Sequence, residues 1–256
     1  MSRMTDRLSS KEIATKARKQ YEDKKFSKLP AVAIELPSKG QAYPEEHPLR
    51  GGYIEMRYPT AYDEDILTNA SYIKQGVVLD KLLESICVTD VDINDLIIAD
   101  KEKMLLSARI LAYGPEYPVT VIDPKTQKTL KRIVNLEKIQ SKEFELTSDA
   151  NGEFEYSIDD ITLKFIFPTS KIVDNLRDTN TVSDLMNNII CEVNGDREPA
   201  NIKEFIKFNF LSKQSRQFRD YIESHIPTLI TEYEFEGENG STFTAGFPFG
   251  PDLFWS

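Results

Sequence analysis

Residues 35–44 read ELPSKGQAYP and connect two short alternating runs, VAIEL at 32–36 and YIEMRY at 53–58, that predict β-strands. Pro37 ends the first strand because proline cannot donate to a hydrogen-bonded ladder. Gly40 suits a turn position that requires a positive φ. The segment has no nucleophile beside a base and no cluster of metal ligands. It therefore predicts a hairpin-like entry into the fold.

The rest of the chain mixes helical and strand patterns, which predicts an α+β fold: a mixed helical body with N-terminal, central and C-terminal β-hairpins. Helices are expected near 77–87, 100–114, 169–177, 181–192, 200–210 and 212–225. Further hairpins are expected at 117–134, at 154–167, and near the C-terminus around Gly237–Gly240.

The helix near 100–114 has recognisable ends. Asp100 is the expected N-cap and Gly114 the expected stop. Arg109 is interpreted as a structural ion-pair residue, with Asp100 two to three turns before it. Upstream, Thr60 followed by Asp63 approximates a capping box.

The charge is distributed unevenly over the 256 residues. Residues 1–30 contain nine Lys or Arg and four Asp or Glu, whereas the remainder of this chain of net charge −10 contains 23 basic and 38 acidic residues. An acidic body disfavours nucleic acid as the main partner. We expect three parts: a basic arm (1–30), an α+β domain with the central hairpin (31–150), and a helical region that ends in a hairpin and an aromatic tail (151–256). Within the arm, Arg18 and Lys19 are candidate partner-binding residues, although a solvated, partly helical tail would have the same composition.

Several functional classes are disfavoured by what the sequence lacks. It has no apolar run long enough to span a membrane and no secretory signal, and its two cysteines are far apart. We therefore expect synthesis in the cytoplasm. His47 and His225 stand alone, so no metal site is expected, and no nucleotide-binding or hydrolase motif is present. The expectation is a protein without cofactor and without catalytic residues.

Aromatic residues point to contacts instead. The spacing of Phe205, Phe208 and Phe210 predicts a buried helix face. The C-terminal FPFGPDLFWS carries five large apolar side chains, which are the candidate partner-binding residues Phe247, Phe249, Leu253, Phe254 and Trp255. Five such side chains in water would be unfavourable. Either the tail folds back onto its own body, or it inserts into a partner.

Three segments together resemble the T4-type bacteriophage baseplate protein family, which includes the baseplate hub subunit. They are ELPSKGQAYP (35–44), YIEMRYPTAYDEDILTNASYI (53–73) and DLIIADKEKMLLSARILAYGPEY (95–117). The aromatic end of relatives is similar to Leu253-Phe254-Trp255. Relatives with Cys-x-x-Cys pairs in the central and C-terminal hairpins differ from this chain, which has Asp123–Thr126 and Glu236–Asn239 there. The resemblance therefore implies no zinc.

The resemblance implies a non-enzymatic phage tail morphogenesis protein, either a baseplate hub subunit or a hub assembly factor. Its partners would be other hub or tail proteins, with the tape measure protein as a further candidate. It would act in the host cytoplasm during assembly and in the tail baseplate of the virion. Two alternatives stay open: a transient tail assembly chaperone for the tape measure protein, and a cell-wall hydrolase using Glu35 or Asp63.

Overall fold

The predicted entry hairpin is present. A computed structural model describes residues 29–176, 181–237, 240–246 and 251–255. In it, β1 (Ala31–Glu35) pairs antiparallel with β2 (Tyr53–Arg57). Alternation along β2 buries Ile54 and Met56 while the residues between them face solvent. This gives the first core its strand layer.

Four helices follow: α1 (Ala61–Leu67), α2 (Ala70–Gln75), α3 (Val78–Ile86) and α4 (Ile98–Tyr113). The short helix α2 is not among those predicted. The assignment of Asp100 as an N-cap is wrong, because Ile97 occupies that position and Asp100 lies in the first turn with its carboxylate buried. Gly114 ends α4 as predicted, with φ 83°.

The central part contains the predicted hairpins. Strand β3 (Glu116–Ile122) pairs with β4 (Thr129–Asn135), and β5 (Phe154–Ile158) pairs with β6 (Ile161–Phe165). The prediction of one helix over 181–192 is wrong in its second part. The chain leaves the helix after Ile189 and forms β7 (Ile190–Val193) on the open edge of β6, which supplies backbone partners to a segment with β-branched ends.

The remaining elements agree with the predicted order except for the last, a 3₁₀-helix that was not predicted. They are α5 (Ser170–Leu176), α6 (Val182–Ile189), α7 (Pro199–Phe208), α8 (Ser212–His225), β8 (Glu232–Glu236), β9 (Thr242–Gly246) and a 3₁₀-helix (Pro251–Phe254). Strands β8 and β9 form the predicted C-terminal hairpin. The α+β class is therefore confirmed.

Two hydrophobic cores organise these elements. The first contains side chains from β2, α1, α3, α4, β3 and β4, and it also receives Phe235 and Leu253 from the C-terminal end. The second is formed by β5–β7 and α6–α8 and is rich in aromatic rings. The ring centroids of Phe154 and Phe167, for example, are 4.8 Å apart. Helix α4 contributes to both, with Ala99 in the second core and Met104 in the first. The predicted division at residues 30 and 150 stays a prediction.

Candidate protein-protein interface

The segment ELPSKGQAYP is fastened to α4 by one buried carboxylate. Ser38 N donates to Asp100 Oδ1 at 3.0 Å, and Ser38 Oγ and Tyr43 Oη both donate to Asp100 Oδ2 at 2.6 Å. Asp100 is fully buried, and this burial raises its pKa. Burial and the neighbouring carboxylate also raise the pKa of Tyr43 well above its ordinary value. This cluster stabilises the fold, since its carboxylate oxygens are occupied by neutral donors from the same chain.

A second carboxylate, Asp63, joins β2, α1 and α3. It forms a bidentate pair with Arg57 at 2.8 and 2.9 Å and accepts from Ser85 Oγ at 2.7 Å. Thr60 N and Oγ1 both donate to Asp63 Oδ2, so the predicted relationship between Thr60 and Asp63 is present. Burial opposes ionisation, but hydrogen bonds from Arg57 and Ser85 lower the pKa of Asp63 overall. The group is an ionised structural anchor.

The C-terminal tail packs onto the first core. Leu253 is 0% exposed and Phe254 9% exposed, whereas Trp255 is 43% exposed. Arg109 Nε donates to the Leu253 carbonyl at 2.8 Å, and its NH1 donates to the Gly114 carbonyl at 3.1 Å. The hypothesis that Arg109 pairs with Asp100 is wrong, because the guanidinium is buried against backbone carbonyls and two tyrosine rings.

Of the two alternatives for the tail, Leu253 and Phe254 follow the first: they fold back onto the protein's own core. The described residues leave an exposed face of Trp255, and contact of the tail with a partner stays a prediction. The other candidate residues lie outside the described part of the chain: Arg18, Lys19, Phe247 and Phe249.

A cavity of about 140 Å³ opens beside the tail, and we call it the tail groove. Its apolar lining comes from Pro59 before α1, from α1, α3 and α4, and from the tail: Pro59, Ala61, Leu67, Leu82, Ala112 and Phe254. Its polar side is formed by Thr60, Asp63, Glu64 and Tyr113, and the Tyr113 hydroxyl is 3.5 Å from Glu64 Oε1. The tail thus covers the first core without filling the space next to it.

Two further apolar surfaces face solvent. The corner surface consists of Phe208 and Leu211, 69% and 63% exposed, where α7 meets α8. The hairpin face consists of Ile122 and Ile133, 61% and 65% exposed, on the outer side of β3 and β4. Ile133 lies opposite Pro118 and Ile122 opposite Thr129, four positions further along the hairpin. Exposed large apolar residues in groups are typical of protein contact sites.

The prediction that Phe208 is buried is therefore wrong. Helical residues advance by about 100° each, so Phe208 lies about 200° from Ile206 and opposite the face that carries Ile202 and Ile206. Phe205 and Phe210 do pack against the second core. Applying the helical period to each phenylalanine separately would have identified the exposed one.

The described residues contain no group of three or more His, Cys, Asp or Glu side chains placed to hold a metal ion. Both histidines contact groups of the fold itself. His47 stacks on Tyr43 and accepts from Leu49 N, and burial lowers its pKa. At the end of α8, Ser224 Oγ and His225 Nδ1 each lie 2.8 Å from the Tyr221 carbonyl oxygen. The two side-chain atoms are 2.9 Å apart. Both groups cap the C-terminal end of the helix by contacting this carbonyl. Since Nδ1 donates its proton to the carbonyl, it cannot also act as a base toward the Ser224 hydroxyl.

No helix in the described ranges is both long and apolar enough to cross a bilayer.

Among comparisons with known proteins, the family model described as T4 bacteriophage base plate protein matches residues 29–240, which is most of the chain. No curated protein matches, and no solved structure matches. The family match confirms the resemblance carried by the three sequence segments.

Proposed function

The chain belongs to the T4 bacteriophage baseplate protein family, and we propose that it serves as a baseplate hub subunit or a hub assembly factor that acts by protein-protein contacts. The observation that carries the proposal is the family match over residues 29–240. A baseplate is built from contacts between subunits, so the exposed apolar surfaces are where such a role would be located.

The corner surface and the hairpin face support this role. The exposed part of an apolar side chain gains free energy when a complex buries it, and full burial of such a side chain is worth about 1.5–3 kcal/mol. Phe208 ends α7 and Leu211 is the N-cap of α8, both beside the second core, whereas Ile122 and Ile133 lie on strands of the first. Two surfaces on different cores allow the protein to contact two neighbours at once.

The partners proposed are other baseplate hub or tail proteins. The tape measure protein is a further candidate, since a transient tail assembly chaperone would also need exposed apolar surfaces to shield apolar helices. In both cases the protein acts in the host cytoplasm during assembly. The hub subunit then stays in the virion tail, whereas the chaperone leaves.

A cell-wall hydrolase is the less favoured function. Its acid catalyst would need a raised pKa beside a second carboxylate. Asp63 is held ionised by Arg57 and Ser85, and its oxygens are already occupied. Glu35 is exposed at the end of β1.

Quantitative mass spectrometry of purified virions and of infected-cell lysate tests the proposal. A fixed copy number per particle identifies a built-in subunit, and abundance in the lysate without any in the particle identifies an assembly factor. Normal, infectious tails from a phage that lacks the gene would contradict both roles.

The surfaces are tested separately with Phe208→Ser plus Leu211→Ser, and with Ile122→Thr plus Ile133→Thr. Each pair should leave the monomer folded and reduce the number of complete tails. The matched control is Lys203→Ser plus Lys213→Ser, which changes exposed polar residues on the same two helices. Complete tails at the normal number with both apolar pairs changed would exclude these surfaces.

A further inference from the structure

We infer that the tail groove is a docking site for the chain's own N-terminal arm, with Phe26 entering the cavity and the flanking lysines of KKFSK (24–28) facing Glu64 and Asp65. This contact would connect the basic arm to the acidic body. It is separate from the proposed role in the baseplate, since it concerns how one chain covers its own surface.

The path of the chain brings the arm to the groove. Strand β1 runs antiparallel to β2 with Ala31 opposite Arg57, and Tyr58 N donates to the Pro30 carbonyl at 3.3 Å. Residue 30 therefore lies beside Tyr58, and the next residue along the chain, Pro59, lines the groove. A peptide chain spans at most about 3.3–3.6 Å per residue, so the four residues from Pro30 back to Phe26 reach roughly 13 Å. Phe26 is thus close enough in sequence to enter the cavity.

The size of the groove suits an aromatic ring. Its volume is about 140 Å³, and an apolar cavity of about 150 Å³ is known to accept benzene. Six of the ten lining residues are apolar and come from three helices, from Pro59 before α1 and from the tail. The other four are Thr60, Asp63, Glu64 and Tyr113. A phenylalanine ring would replace water in contact with these side chains and gain the transfer free energy of its own burial.

Charge favours the same occupant. Lys24, Lys25 and Lys28 flank Phe26, whereas Glu64 lies at the groove and Asp65 follows it on α1, both exposed. Two cations of the body lie close to the groove. Arg57 is already paired with Asp63, and Arg109 donates to backbone carbonyls and lies over the Tyr113 ring. Lysines of the arm would therefore meet carboxylates that have no competing cation from Arg57. Attraction between such exposed charges is modest and falls with salt.

Limited trypsin digestion of the full chain tests the docking. Cleavage after Lys24 and Lys25 should be several-fold slower than cleavage after Arg18 or Lys19, which serve as the reference within the same molecule. Phe26→Ala should make the rates equal, whereas the matched control Tyr21→Ala should leave the difference unchanged. Raising the ionic strength to about 1 M, where the Debye length is about 3 Å, should reduce the protection.

Zero-length cross-linking identifies the site and the source of the arm. We expect links from Lys24, Lys25 or Lys28 to Glu64 or Asp65, and in an equal mixture of light and heavy-isotope protein both linked peptides should carry the same label. Mixed labels would show that a second copy supplies the arm and would overturn the intramolecular docking. Equal trypsin rates in the unchanged protein, or links only to remote carboxylates such as Glu204 and Glu223, would overturn the groove as the site.

Discussion

Tyr43 and Asp100, 57 residues apart in the sequence, are joined by a 2.6 Å hydrogen bond from Tyr43 Oη to Asp100 Oδ2 inside the protein. Ser38 donates to the same carboxylate from its backbone and its side chain. The contacts hold the segment between β1 and β2 against the first turn of α4. They explain why LPSKG and a nearby Tyr-Pro occur together: both parts of the segment bind the same residue.

Removal of the Tyr43 hydroxyl should destabilise the protein. Tyr43→Phe leaves a buried carboxylate with one donor fewer, and hydrogen bonds to charged groups contribute about 1.5–3 kcal/mol. We expect a loss of that size in the free energy of unfolding, measured by urea denaturation. The control is Tyr53→Phe, since Tyr53 is 55% exposed. An equal effect of both changes would show that the Asp100 contact does not stabilise the fold.

The buried Asp100 should make stability depend on pH in an unusual direction. Its pKa is raised in the folded state, so the folded protein keeps a proton over a range in which the unfolded chain, with an ordinary value of 3.8, has lost it. The contribution of Asp100 to the free energy of unfolding therefore increases as the pH falls from neutral toward 3.8. Denaturation of the native protein and of Asp100→Asn across this range isolates the contribution. A difference between the two proteins that is constant with pH would contradict the raised pKa.

Asp63 and Asp65 should differ strongly although they lie two residues apart on α1. Asp63 is 1% exposed and binds Arg57, so Asp63→Ala leaves a largely buried guanidinium without its partner. Breaking such a pair from one side typically costs about 3–5 kcal/mol. Asp65→Ala should change stability by less than about 0.5 kcal/mol, as expected at an exposed position. Thermal unfolding of the two variants compares them, and similar melting temperatures would refute the anchoring role of Asp63.

Two glycines separate backbone strain from steric clash. Gly40 and Gly76 have φ of 78° and 71°, but a Cβ on Gly40 would lie 2.2 Å from the Arg50 carbonyl oxygen, whereas one on Gly76 would meet nothing within 4 Å. Gly76→Ala should cost about 1–2 kcal/mol from the left-handed conformation alone. Gly40→Ala should cost several kcal/mol more, because backbone must move. Equal losses in the free energy of unfolding, measured by urea denaturation, would show that the ELPSKGQAYP segment can shift to accommodate a Cβ at little cost.

The tail offers a matched pair of side chains with different surroundings. Leu253 is fully buried, so Leu253→Ala should cost about 2–5 kcal/mol of folding free energy. Trp255 is 43% exposed, and Trp255→Ala should change the melting temperature little while lowering incorporation into tails if the tail contacts a partner. Calorimetry measures the stability of each variant, and counting complete tails measures its incorporation. A Leu253→Ala protein as stable as the native one would show that the tail is not part of the core.

Much of the local structure followed from residue patterns. Alternation predicted the hairpins at 31–57, 116–135 and 232–246, and helical periodicity with Pro and Gly stops predicted α3, α4, α7 and α8. These signals are local, because the spacing of apolar residues that identifies a helix or strand lies within the sequence of that same segment. The strand β7 was missed since its partner, β6, lies about 30 residues earlier and only the assembled sheet offers that edge.

The sequence by itself determined the α+β class, the order of most helices and hairpins, and the family, because each depends on patterns within short segments. Only the tertiary structure decided which carboxylate binds which donor: Asp100 binds Ser38 and Tyr43, and Arg109 binds the Leu253 carbonyl instead of Asp100. It also decided that Leu253 is buried and Phe208 exposed. Burial and pairing are properties of contacts between distant segments, and their geometry is set when the segments pack together.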